Sequence, residues 1–375
     1  MRREGSLSSA VALLCGVAAL VFGVVRLSQA LRSLRGNGPR AALNLKQRHE
    51  EVLAWFGGDS VYEALPTAVY PPGSMTLLAP LGWLDPGPAT HVYATLTLLL
   101  CAGLAWWMRR SVRPDTSWVA LTLALPLATL PLAEGIALGQ LHLVSLVAAV
   151  AAVTVALGER SLARDLVAGA LFAVALVKPS NTALFFWALL FLPGRIRPAA
   201  IAAALYGIAT GVALAVRQES ALQLLREWAF RAMEGARFGA GGGGYGSMHD
   251  LVAMLGLPRA SVLATLLLLG GGGVVAWRSR RADPWLVLGV LGIAARLATY
   301  HRSYDDILIL PAIAGALTLR GDLIALSVAG VAWLSLVTPA PPTLRVATWL
   351  ALLVLLLREL WACPIADGEA RASGG

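Results

Sequence analysis

Between two apolar segments the chain reads Thr299-Tyr-His-Arg-Ser-Tyr-Asp-Asp306. A histidine, an arginine, two tyrosines and two adjacent aspartates in one short connection can hold an anion and move a proton. Asp305, Asp306 and His301 suit proton transfer, since a neighbouring like charge or desolvation raises the proton affinity of a carboxylate. Arg302, Arg296 one helical turn before it, and Lys178 suit a phosphate group, arginine as a planar fork and lysine as a point charge. Gln140, His142 and Tyr300 are further candidate substrate contacts. Each also has a plain structural role open to it: a lysine snorkelling from a helix end, a hydrogen bond between helices, or half of an ion pair. Ionisable groups at membrane depth are costly, so a cluster of them on one membrane face points to function.

The surroundings of these residues are strongly apolar. Of 375 residues, 58% are hydrophobic and 14% charged, against about 25% charged in soluble proteins. This composition predicts an all-α, polytopic membrane protein, because so few polar residues could not cover a soluble core of this length. The net charge of +9 is spread in small groups at the ends of apolar runs. They read as topology signals and not as a phosphate-tracking stripe, so nucleic acid is excluded as a partner. Cys15, Cys101 and Cys363 form no metal-ligand spacing and no disulfide framework. No metal and no cofactor is expected, and neither a GxxxxGK[ST] loop nor a strand-linked GxGxxG points to a nucleotide. The first apolar run has no small-residue cleavage site and reads as a retained helix.

Apolar runs at 7–27, 88–108, 117–133, 138–157, 166–177, 182–192, 199–216, 260–277, 284–298, 305–319, 322–337 and 343–357 predict about twelve transmembrane helices in a single multi-span domain over 1–375. Arg2 and Arg3, Arg109, Arg110 and Arg113, Arg160 and Arg164, Arg195 and Arg197, Arg278, Arg280 and Arg281, and Arg320 then fall in alternate connections. Positive-inside bias places them in the cytoplasm, with a disordered tail over 361–375, and places the 299–304 corner outside. Two long outer loops remain. The first, 28–87, carries an interfacial helix with Leu45, Val52, Leu53 and Phe56 at helical spacing and Glu50 and Glu51 on its solvent face. It also holds a half-helix or interfacial segment after Pro71-Pro72. The second, 217–259, repeats the design with Ala221, Leu224, Leu225, Trp228 and Ala232 on one face, then a glycine-rich run from Gly239 to Gly246.

Three motifs in order carry a resemblance: Tyr70-Pro71-Pro72 with Leu77-Leu78-Ala79-Pro80-Leu81, then Gly139-Gln140-Leu141-His142, then Ala175-Leu176-Val177-Lys178-Pro179. Together they resemble family-87 glycosyltransferases, multi-span enzymes of the GT-C superfamily. The resemblance implies a GT-C-like fold in a bacterial-type plasma (inner) membrane with its active site outside. It implies transfer of a hexose, mannose in the family, from a polyprenyl-phosphate donor to a lipid or glycan acceptor, with inversion. Membrane lipid, the polyprenyl-phosphate sugar and a glycolipid or glycan acceptor are the implied partners. Family members use an acidic residue early in the first outer loop as base. Asn44 stands at that position here, and an amide is no general base at neutral pH. Another carboxylate must then serve, Asp305 before Asp306, with Glu50, Glu51 and Asp59 also in the loop. The alternative is a catalytically inactive protein that binds lipid-linked sugar or assists envelope assembly; a transporter or flippase ranks below both, since internal repeats are missing.

Overall fold

The computed structural model describes residues 4–65, 67–112, 118–240, 246–257, 260–298, 301–319 and 322–362. All regular structure among these residues is helical. The chain opens with the long apolar α1 (Glu4–Arg35) and then forms α2 (Leu43–Gly57), the single turn α3 (Val61–Ala64), α4 (Pro72–Gly82) and the long α5 (Pro86–Val112). α4 starts on Pro72, where the fixed φ of proline suits the first helical position and its missing N–H is not needed. A bent pair follows, α6 (Val119–Leu127) and α7 (Leu130–Leu138), and then α8 (His142–Leu157), α9 (Leu162–Ala175) and the short α10 (Pro179–Thr182) and α11 (Phe186–Leu190). The second half consists of α12 (Arg197–Ala215), α13 (Ala221–Ala240), α14 (Met248–Met254), α15 (Ser261–Arg278), α16 (Pro284–Ala298), a 3₁₀ helix at Ser303–Ile309, α17 (Leu310–Thr318), α18 (Leu323–Val337) and α19 (Pro342–Ala362).

α16 is the centre of the molecule. Trp285 to Ala298 are all buried, Arg296 among them, as expected of a helix that is apolar all round. α17 doubles back along it at close range: a Cβ on Gly289 would stand 2.7 Å from Ala312 Cα, and one on Gly315 would stand 2.8 Å from Trp285 O. Small residues let two backbones approach in this way. α8, α9, α18 and α19 complete the main core. A smaller apolar cluster lies around α2 and α4, built from Leu34, Leu45, Val52, Trp55, Tyr62, Tyr70, Met75 and Tyr93.

The expectation of about twelve transmembrane helices is overturned. Among the described residues, three helices are long and apolar enough to cross a membrane: Leu13–Arg35 in α1, Pro86–Arg110 in α5, and α12. The pair α6 and α7, bent by 43°, makes a fourth if it is counted as one broken span. α8, Val262–Arg278 of α15, α16 and α18 are apolar but only 10–17 residues long, where a full crossing takes about 20 residues. The 16 residues of α8 rise about 24 Å, short of the roughly 30 Å hydrocarbon core. Their apolar character instead serves burial within the protein, which a hydropathy window does not separate from burial in lipid. The run at 117–133 breaks near Thr129, 182–192 divides into short turns, and 305–319 begins in a 3₁₀ helix. Arg2, Arg3, Arg113, Tyr300, Arg320, Cys363, positions 241–245 of the glycine-rich run and the tail from 363 lie outside the described residues.

In both outer segments the faces differ from the sequence reading. On α2, Leu45, Arg48, Glu51, Val52 and Trp55 are buried, whereas Leu53 and Phe56 are exposed. Glu50 is exposed but Glu51 is 0% exposed, so Glu51 does not lie on a solvent face. On α13, Leu224 is buried and Trp228 Nε1 donates to Val69 O at 3.1 Å, while Leu222, Leu225, Phe230 and Met233 are exposed. Charged residues between apolar ones give each helix two candidate faces, and on α2 tertiary packing chose the one that also buries Arg48 and Glu51.

Candidate active site

Three connections at one end of the helices meet around Asp305. The first is the α7–α8 turn. Gly139 closes α7 in the left-handed region, φ 72°, with its N–H on Ile136 O at 3.0 Å and the Gln140 N–H on Gly135 O at 2.8 Å, a Schellman ending that satisfies the last carbonyls. Gln140 and His142 follow directly. His142 is 0% exposed and lies over Gly135, where any Cβ would overlap its ring. The second is the α9–α10 connection, which carries Lys178 and Asn181. Ser145 Oγ and Thr182 Oγ1 both donate to Ala175 O at 2.7 Å, fixing the ends of α8, α9 and α10 together. The third is the stretch His301 to Asp306 after α16.

Asp305 is almost fully enclosed. Its Oδ1 pairs with Lys178 Nζ and accepts from Asn181 Nδ2 at 3.1 Å. Its Oδ2 accepts from the Arg302 backbone N–H at 3.3 Å and faces His301 Nδ1 at 3.3 Å. The other nitrogen of His301, Nε2, lies 3.0 Å from Ala295 O; a carbonyl only accepts, so Nε2 carries a proton. Tyr304 completes the group. Gln140 Nε2 donates to its hydroxyl at 2.8 Å, the Lys178 ammonium lies 5.1 Å from its ring centre, and the His142 ring lies 6.0 Å away.

Asp306 faces the other way. Arg296 Nε donates to its Oδ1 at 2.6 Å and Arg345 Nη1, from α19, to its Oδ2 at 2.7 Å. Arg296 and Asp306 are both 0% exposed, and the Arg296 guanidinium stacks 4.9 Å from the Trp349 ring centre. Adjacent aspartates thus serve two separate ion-pair groups.

A fourth piece comes from α2. Arg48 Nη2 pairs with Glu51 Oε1 at 2.6 Å and donates to Thr67 O at 3.0 Å, and its guanidinium lies 4.4 Å from the Tyr70 ring centre. Thr67 Oγ1 donates to Glu51 Oε1 at 3.3 Å. Burial pushes the Glu51 carboxyl up to about 7, against the pull of Arg48 and the Thr67 hydroxyl. Burial also pushes the Tyr70 hydroxyl up, and the charges of Arg48, Asp305 and Glu51 all act on it. The field of the α2 group thus reaches the Asp305 group, and Arg48 also acts on Lys178.

Of the residues expected from sequence, Gln140, His142, Lys178, His301 and Asp305 gather here. Arg296 and Asp306 form the neighbouring brace, and Arg302 is exposed at the rim. Asn44 is half-buried at the start of α2, with no hydrogen bond to the Asp305 group among the described residues. Sequence reasoning missed Arg48, Asn181 and Arg345, gave Tyr304 no role, and set Glu51 on a solvent face. The spacing of Asn44, Arg48 and Glu51 was the available signal, since i, i+4 and i+7 share a helix face. No group of three or more His, Cys, Asp or Glu side chains gathers as a metal site among the described residues.

No curated protein and no solved structure matches the chain. The model of glycosyltransferase family 87 matches residues 68–300, a stretch that takes in Tyr70, Gln140, His142 and Lys178 and more than half of the sequence, so the chain belongs to glycosyltransferase family 87.

Proposed function

We propose that the protein moves a hexose, mannose in the first instance, from a polyprenyl-phosphate donor to a lipid or glycan acceptor at the extracytoplasmic face of a bacterial-type plasma membrane. The observation that carries this reading is the convergence of Lys178, His301, Asn181 and Tyr304 on Asp305, in a chain that belongs to a sugar-transferring family. Lys178 and the exposed Arg302 supply positive charge for the donor phosphate, with Gln140, His142 and Tyr304 beside them for the sugar. Tyr300 next to His301 is a further substrate contact in this reading. A carboxylate held by the Lys178 ammonium, the Asn181 amide and the Arg302 N–H is a weak proton acceptor, so Asp305 serves to hold Lys178 and His301 in place. Asp306 and Arg296, braced by Arg345, hold the corner itself.

The test is transfer of radiolabelled mannose from polyprenyl-phosphate mannose to octyl α-mannoside by the purified full chain in lipid vesicles. Wild-type protein is expected to transfer. Lys178→Ala is expected to raise the donor KM at least about tenfold, and Asp305→Asn to lower kcat about 100-fold by misplacing Lys178. Unchanged kinetics in both variants would remove this site from the reading. Asn44 favours the second reading, a protein that has lost catalysis; donor binding without turnover in the same assay would select it.

A further inference from the structure

Glu51 is a buried carboxylate that the roles above do not use. It is 0% exposed, and among the described residues its Oε2 has no hydrogen-bond partner; neither has the Nε of Arg48, itself 6% exposed. Two unpartnered charged atoms this deep are costly in a purely structural pair, because a buried charge needs its remaining lone pairs and protons satisfied. The groups that face Glu51 are Arg48 and Glu50 on α2, Thr67 on the covering segment, and the rings of Tyr62 and Tyr70. Asn44, Arg48 and Glu51 lie along one face of α2, so Glu51 stands two turns further along the face on which Asn44 replaces an acid. Thr67 already presents a hydroxyl to this carboxylate at 3.3 Å, the contact a reacting sugar hydroxyl makes with its base.

We infer that Glu51 is the proton acceptor of the transfer reaction, with Arg48, stacked on the Tyr70 ring, orienting it. The inference rests on the transferase reading. In the step, the acceptor oxygen forms a bond to the anomeric carbon as its proton passes to Glu51 Oε2. The bond from that carbon to the phosphate oxygen breaks, and its electron pair leaves with the polyprenyl phosphate. Glu51 then releases the proton to water and the site is reset. No metal or further reactant is needed for the balance. A base whose proton affinity lies near the working pH is the effective kind, and burial brings Glu51 there.

The experiment uses the full chain in vesicles with polyprenyl-phosphate mannose as donor and octyl α-mannoside as acceptor. Glu51→Gln keeps the shape and removes proton acceptance. It is expected to lower kcat by 100-fold or more, as loss of a general base does, with the donor KM and the thermal midpoint close to wild type. Glu51→Asp is expected to recover part of the rate, and Glu50→Gln, at the exposed neighbour, to change nothing. The rising arm of the wild-type pH profile is expected to vanish in Glu51→Gln. Infrared difference spectra between wild type and Glu51→Gln are expected to show a carboxyl titrating near 7 whether or not turnover is measured. Wild-type transfer with a Glu51→Gln rate within about threefold of it, or a Glu51 titration in the ordinary carboxylate range, overturns the assignment and leaves the transferase reading standing. Absence of transfer by the wild type overturns both.

Discussion

Glu51 ties stability to pH in a direction opposite to most paired carboxylates. Burial raises its proton affinity, from 4.5 to about 7, so the folded chain binds a proton that the unfolded chain has already lost between these values. The favourable contribution is therefore complete below about 4.5 and is lost as pH rises through about 7. The full change is on the order of 3 kcal/mol. Thermal unfolding in detergent is expected to give a midpoint that falls from pH 5 to pH 8 in the wild type by more than it does in Glu51→Gln. Equal slopes in the two proteins would show that Arg48 keeps Glu51 ionised throughout. Why this residue escaped sequence reasoning has a physical answer. His301, Asp305, Lys178, Gln140 and His142 stand out because each is polar in an apolar stretch, and the fold gathers them. Glu51 sits among Lys46, Arg48 and Glu50, where one more charge looks like part of a wet face.

Among the elements, the α7–α8 turn positions both halves of the site. It delivers Gln140 and His142 to Tyr304, and it also receives α2: the Ala42 N–H donates to Ala137 O at 3.1 Å, and Leu45 packs on Gly139. Gly139 meets two demands at once. Its φ of 72° costs a side-chain residue roughly 1–2 kcal/mol, and a Cβ there would stand 2.6 Å from Leu45 Cβ, an overpacking that costs a further 1–3 kcal/mol or so. Gly139→Ala is thus expected to destabilise the protein by about 2–5 kcal/mol and to lower transfer as α2 shifts. Gly207→Ala, whose Cβ meets nothing within 4 Å, is expected to leave both unchanged and serves as the control in the same unfolding and transfer measurements. A Gly139→Ala protein as stable as that control would show that α2 adapts freely to the turn. The apolar runs made the helical class legible, and prolines marked the starts of α4 and α10. Their lengths were not legible as spans, because α16 is apolar on every side for the sake of its protein neighbours.

At the scale of the whole molecule, the proposed function requires that the site end of the helices face outward. α1 leads directly into α2, α5 begins at Pro86 just after α4, and α12 ends where Trp55 Nε1 donates to Ala213 O at 3.1 Å. Each of the three long apolar helices therefore has one end at the site. The opposite ends of two of them are basic, with Arg109 and Arg110 in the last turn of α5 and Arg197 at the start of α12. Nearby, Arg195 pairs with Asp165 at 2.6 Å and donates to Ala156 O and Gly158 O, closing the ends of α8 and α9. Under the proposed function this basic end is the cytoplasmic one, in the sense of the positive-inside bias. Arg32 and Arg35 at the site end of α1 count against it, but they precede a long connection, where the bias is weakest. The orientation is testable with Cys15, Cys101 and Cys363 replaced by alanine and single cysteines placed at two exposed positions, Glu63→Cys beside the site and Glu159→Cys at the basic end. A membrane-impermeant maleimide added to intact cells, with the outer envelope permeabilised, is expected to label Glu63→Cys and to reach Glu159→Cys only after the inner membrane is opened. The reverse pattern would put the Lys178–Asp305 group on the cytoplasmic side, beyond reach of a donor presented outside, and the extracytoplasmic part of the functional reading would fall while the chemistry of the site stood.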